Sequence, residues 1–111
     1  MTYEEARAIV LSYPGVEEGT SYGTPGFRVK KKFFTRLHQD GESLVLHVGS
    51  VDERDMLIAR DARVFHITDH YREYPIVLAR FAAIREDTLR MLLDQRWRDI
   101  APKQKPRRSD R

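Results

Sequence analysis

The chain has 111 residues, 41% hydrophobic and 33% charged, which suits one domain large enough to bury a real core. It contains no cysteine, which excludes disulfide staples, thiolate nucleophiles and cysteine-ligated zinc and fits a reducing compartment. The formal charge is +3, but Lys103, Lys105, Arg107, Arg108 and Arg111 against Asp110 put +4 on residues 102–111 and leave −1 on residues 1–101.

The body is thus near neutral, and the basic character belongs to a terminal run read as a disordered tail. The expected organisation is one domain over 1–101 and a basic tail over 102–111. At the N-terminus, MTYEEARAIV carries early acids where a signal peptide needs basic residues and then an apolar block, and no run approaches membrane-spanning length. A cytoplasmic location with no membrane partner is the expectation.

Thr2 and Glu5 form a capping box, and Tyr3, Ala6, Ile9, Val10 and Tyr13 follow at helical spacing until Pro14-Gly15 stops the helix. The glycines and Pro25 of Val16–Gly26 argue against a central strand, so an edge or a loop is expected there, with a short strand around Thr20–Tyr22. From Phe27 to Val48 the pattern reads as two consecutive hairpins. Asp40-Gly41 predicts a two-residue turn that sets Leu37 opposite Leu44, Thr35 opposite Leu46 and Phe33 opposite Val48. Those residues make an apolar core face, while Phe34, Arg36, His38, Val45 and His47 line the other face. Placing Phe27 and Val29 on the core face requires a three-residue loop at Lys30, Lys31 and Lys32, with Arg28 beside Phe34 and Arg36.

Ser50 and Glu53 open a second helix to about Asp61, with Val51, Met56, Leu57 and Ala59 as its apolar face and Asp52, Glu53, Asp55 and Asp61 on the solvated side. A strand at Val64–Ile67, a polar loop at Thr68–Pro75 and a buried strand at Ile76–Phe81 come next. Leu89, Leu92, Leu93, Trp97 and Ile100 then stripe a helix over 87–100 that Pro102 ends. The predicted fold class is α+β, a mainly antiparallel sheet of about five strands with N-terminal, middle and C-terminal helices packed on one face.

No catalytic or metal constellation emerges. His66, Asp69 and His70 straddle a strand-to-loop transition, where two histidines four apart do not converge on a metal as they do on a helix. Ser21 lacks the Gly-x-Ser-x-Gly elbow that would present it to His70, and the glycines at 15, 19, 23 and 26 precede no helix that could cradle phosphate. The loop His70-Tyr71-Arg72-Glu73-Tyr74-Pro75 differs in joining a planar cation to two tyrosines able to stack or to close the end of the sheet.

Pro14-Gly15-Val16-Glu17-Glu18, Tyr22-Gly23-Thr24-Pro25-Gly26-Phe27, the hairpin Phe34–Val48 and His70–Pro75 together resemble the MmcQ/YjbR family of small bacterial proteins, over nearly the whole chain up to Pro102. The resemblance implies a compact α+β fold related to the frataxin-like arrangement, with a double-wing motif and a DNA-binding role. It names no catalytic residue, and Lys103–Arg111 lie outside it. The leading expectation is a non-enzymatic module without cofactor or metal that binds DNA weakly and without sequence preference. Arg28, Lys30, Lys31, Lys32, Arg36, His47, Arg72 and the tail would meet the nucleic acid, with Phe34 or Tyr71 stacking. The alternative is a protein-interaction or small-ligand module on the same open sheet face with the His70–Pro75 loop.

Overall fold

The structure, a computed structural model, describes residues 1–101, and the expected tail over 102–111 lies outside the described residues. Helix α1, Tyr3–Leu11, starts at the predicted capping box: Thr2 Oγ1 accepts from the Glu5 amide at 3.1 Å and Glu5 Oε1 from the Thr2 amide at 2.8 Å. Helix α2, Val51–Arg60, starts where Ser50 Oγ accepts from the Glu53 amide at 3.0 Å. Helix α3, Glu86–Ile100, buries Leu89, Leu92, Leu93 and Ile100 and ends at Ala101, whose extended backbone suits a residue before proline.

Among the described residues the sheet has six strands rather than about five, in the order β1-β2-β3-β4-β6-β5, with every neighbouring pair antiparallel. The additional strand comes from Val16–Gly26. Here β1, Val16–Ser21, and β2, Thr24–Val29, make a hairpin across Tyr22-Gly23, whose φ values of 54° and 78° define a primed turn. The edge expectation holds for β1, but β2 is interior. Pro25 is tolerated because pairing with β3 begins only at Gly26↔Arg36, so Pro25 has a strand partner on one side alone, as in an edge strand.

Strand β3, Lys32–Leu37, departs from the predicted pleat in two linked ways. The expected three-residue loop at Lys30–Lys32 is a two-residue turn at Lys30-Lys31, with φ values of 51° and 68°, and Lys32 already pairs with Val29. The displaced residue reappears as a β-bulge: Phe27 faces Thr35 but Arg28 faces Phe33, which leaves Phe34 unpaired opposite β2. Phe33 and Phe34 therefore exchange the faces predicted for them. Phe34 is fully buried in the core beneath the helices, and Phe33 joins the cluster on the other face.

Strand β4, Ser43–His47, keeps the predicted register, Thr35↔Leu46 and Leu37↔Leu44. Its connection to β3 is a wider loop over 39–42, not a two-residue turn. The His38 amide donates to the Ser43 carbonyl at 2.8 Å, and of Asp40 and Gly41 only Gly41 takes a positive φ, 72°. Two further residues, one on each side, leave the pairing unchanged. Strand β6, Ile76–Arg80, lies between β4 and the short edge strand β5, Phe65–His66.

All three helices feed the core on one face, where Ala6, Val10, Phe27, Val29, Leu44, Leu46, Val77, Leu89 and Leu93 are buried. In α2 the buried stripe is rotated from the expected one: Leu57 and Ile58 pack on the core, whereas Met56 is 63% exposed. Helix α3 is latched to the end of α1 by Tyr13 Oη on Asp94 Oδ1 at 2.5 Å and by Trp97 Nε1 on the Pro14 carbonyl at 2.9 Å. Among the described residues no helix is long and apolar enough to cross a membrane. Among the described residues no α-helix packs on the opposite sheet face.

Candidate functional site

The helix-free face has its own small cluster, Val45, Leu78 and Tyr71 with Phe33, Ile67 and Ile76 against it. Alternation along β3 and β4 places Arg36 and Val45 on this face, and the bulge adds Phe33. The segment after β5 folds back over one end of it through a single 3-10 turn, Asp69–Tyr71. Arg54 of α2 anchors that segment. It is only 4% exposed, and its Nη1 donates to the carbonyls of Tyr71, Arg72 and Tyr74 at 3.0, 2.8 and 3.0 Å.

Between the segment and the sheet lies a recess of about 520 Å³, within the range of small-ligand sites. Its floor is Val45, Tyr71 and Ile76, its walls carry Phe33, Tyr22 and Tyr74, and Arg36, His38, Gln39, Thr68 and His70 bring polar atoms to it. The Tyr71 ring is bracketed by two histidines, His70 edge-on at 4.8 Å and His38 tilted at 6.3 Å between ring centroids. The Arg36 guanidinium donates to Tyr71 Oη at 2.5 Å and more loosely to the Leu37 carbonyl and Gln39 Oε1 at 3.3 and 3.4 Å. Its carbon sits 5.2 Å from the centre of the Tyr22 ring, a cation–π contact supplied by the tip of the β1–β2 hairpin.

A polar chain runs from this recess across β4. His38 Nδ1 pairs with Asp40 Oδ2 at 3.3 Å, Ser43 Oγ donates to Asp40 Oδ2 at 3.3 Å, and His66 Nε2 lies 3.1 Å from Ser43 Oγ. The hydroxyl has one proton, so where Ser43 gives it to the Asp40 carboxylate, its oxygen is left to accept from the His66 tautomer that carries Nε2–H. Burial, and next Arg80, push the His66 pKa down from its ordinary value. Burial opposes ionisation of Asp40, yet the Glu42 amide, His38 and Ser43 outweigh it and hold the carboxyl below its usual range. Ser43 is fully buried, so this Asp, Ser and His grouping has no exposed nucleophile.

The residues expected to meet nucleic acid are dispersed. Arg36 and Tyr71 meet in the recess, but both are 6% exposed and so offer little surface to a backbone phosphate. Phe34 lies on the far side of the sheet and cannot stack on a base, because the bulge turns it into the core against Tyr13 at 5.5 Å. Arg28, Lys30, Lys31 and Lys32 are exposed at the β2–β3 hairpin. Arg72 is exposed and paired with Asp69 at 2.7 Å. His47 lies beside α3, where burial and then Arg96 lower its pKa. His66 and His70 go to different partners, and among the described residues no cluster of three or more His, Cys, Asp or Glu could hold a metal. The Ser21 side chain lies outside the described residues.

Tyr22, Phe33 and Gln39 complete the recess and Arg54 secures it, and the sequence pattern singled out none of them for these roles. Tyr22-Gly23 at the centre of a hairpin was a findable signal, since Gly accepts positive φ freely. The bulge and the reach of Arg54 to a segment 17 to 20 residues away have no local signature.

A family model described as YjbR matches residues 11–99. No curated protein and no solved structure matches the chain.

Proposed function

The chain belongs to the YjbR family, and from that premise we propose that it is a non-enzymatic cytoplasmic module whose helix-free face binds a small organic ligand. The observation that carries the reading is the recess itself: four rings from three separate chain segments, Tyr22, Phe33, and Tyr71 with Tyr74, converge with Arg36 on one concavity of ligand size. A fragment screen followed by amide and aromatic NMR tests it. Binders should shift signals of Tyr22, Phe33 and Tyr71 together, and Thr68→Trp, at the exposed rim, should abolish the shifts. A screen in which no fragment moves these three would refute the reading.

Nucleic-acid binding is the second reading, favoured by exposed Arg28, Lys30, Lys31 and Lys32 at one hairpin. Such contacts would be electrostatic and indifferent to sequence, because they carry charge without a stacking ring among the residues first expected to supply one. Binding to duplex DNA at low salt, with the slope of log affinity against log salt reduced by about 0.9 per removed phosphate contact, is its measurement.

A further inference from the structure

Arg36 is 94% enclosed, yet among the described residues no carboxylate pairs with it: its partners are two carbonyl-type oxygens, a phenol and a ring face. A guanidinium withdrawn from water to this degree is ordinarily matched by an acid, since uncompensated charge in a protein interior is costly. Nε–H and one Nη2–H remain without an acceptor among the described residues, counted against the five donors of the group. Tyr71 Oη spends a lone pair on Arg36, so its own proton is available for donation. Asp40, a nearby acid in sequence, is engaged by His38, Ser43 and the Glu42 amide. The recess thus combines aromatic walls with a positive, donor-rich end and no internal counter-ion.

Resting on the reading that this recess holds a small ligand, we infer that the ligand is a planar aromatic carboxylate. Its carboxylate replaces the missing acid at Arg36 and the Tyr71 hydroxyl, and its ring lies among Tyr22, Phe33 and Tyr74. One guanidinium matches one negative charge, which favours a carboxylate over a phosphate dianion, and about 520 Å³ admits a two-ring acid.

The test titrates the full chain with 2-naphthoate and, in parallel, with isosteric 2-naphthamide, following heat and NMR shifts. The acid should move Tyr22, Phe33 and Tyr71 and bind at least about tenfold more tightly than the amide, the scale of a hydrogen bond to a charged partner. Arg36→Met should bring the acid down to the affinity of the amide. Tyr71→Phe keeps the ring and should weaken the acid several-fold and the amide less, because a hydroxyl bonds an ionised oxygen more strongly than a neutral carbonyl, which covers the case in which Arg36→Met fails to fold. Equal affinity for acid and amide at the recess overturns the charge inference and leaves the ligand pocket standing. If neither compound moves the recess signals, the carboxylate inference falls, and the fragment screen decides separately whether the pocket reading falls with it.

Discussion

Arg96 of α3 donates two hydrogen bonds, at 3.0 and 2.7 Å, to the carbonyl of Phe33 beside the β3 bulge. A bulge disrupts the ladder locally and leaves backbone groups in need of other partners, and here a helix on the core side supplies one. The same carbonyl belongs to the residue whose ring walls the recess, so Arg96 helps determine where that ring points. Arg96→Met is expected to cost about 1 to 3 kcal/mol in urea unfolding, the cost of leaving such a group unpaired. Arg98→Met, at an exposed position of the same helix, should change stability by less than about 0.5 kcal/mol. Equal effects of the two would show that the bulge needs no clamp.

Arg54 should matter more. Its Nη1 collects three carbonyls of the segment that roofs the recess, and its Nε adds Asp55 Oδ1 at 2.9 Å. Arg54→Met should destabilise by about 2 to 4 kcal/mol, because it strips buried carbonyls of a charged donor. Hydrogen exchange should accelerate at Tyr71 and Tyr74 beyond what the global loss explains. Uniform acceleration across the sheet would count against a local anchoring role.

The β2–β3 turn is stabilisable. Lys30 and Lys31 both hold left-handed φ, a conformation that costs a non-glycine residue about 1 to 2 kcal/mol. Lys30→Asn with Lys31→Gly supplies the residues a primed turn favours and should raise stability by about 1 kcal/mol or more. It also removes two charges from the hairpin, so on the second functional reading the DNA salt slope should fall by up to about 1.8. A drop in melting temperature would contradict the turn geometry.

Stability should decline on mild acidification. His66 and His47 have pKa values lowered chiefly by burial, so both resist protonation in the fold while the unfolded chain takes up protons near pH 6.5. The unfolded state therefore binds more protons below that pH, and the stability these histidines support is present above it and lost as pH falls through it. Asp40, also lowered, adds a separate loss below its ordinary value of 3.8. Urea midpoints at pH 7.5, 6.5 and 5.5 measure the histidine part, and His66→Gln should flatten it in part. A midpoint that rises between pH 7.5 and 5.5 would reverse the assigned direction.

Most of the frame was legible because it is local. Thr2 with Glu5, Ser50 with Glu53 and the Leu89–Ile100 stripe each lie within a few turns of chain, and the alternation through Leu37, Leu44 and Leu46 survived a change of loop width. Phe33-Phe34 was not legible, since two adjacent phenylalanines satisfy either pleat equally and the choice belongs to a bulge clamped from α3, 63 residues away. Arg36 was read as a charge on the face opposite the core, free to meet a phosphate. Its burial comes from Tyr22 and Tyr71, which no window around residue 36 contains.

The single tryptophan, Trp97, sits on the helix side of the sheet with its indole on the Pro14 carbonyl, whereas three of the five tyrosines border the recess on the other side. The molecule therefore carries two optical reporters that answer different questions. Emission excited at the red edge of the ultraviolet band, where only indole absorbs, will follow the docking of α3 onto α1 and stay constant when the recess fills. Tyrosine absorbance and near-ultraviolet dichroism will change when the recess fills, and Tyr13 at the α1–α3 latch makes them change on unfolding as well. Occupancy and unfolding can thus be resolved in one cuvette without attaching a dye.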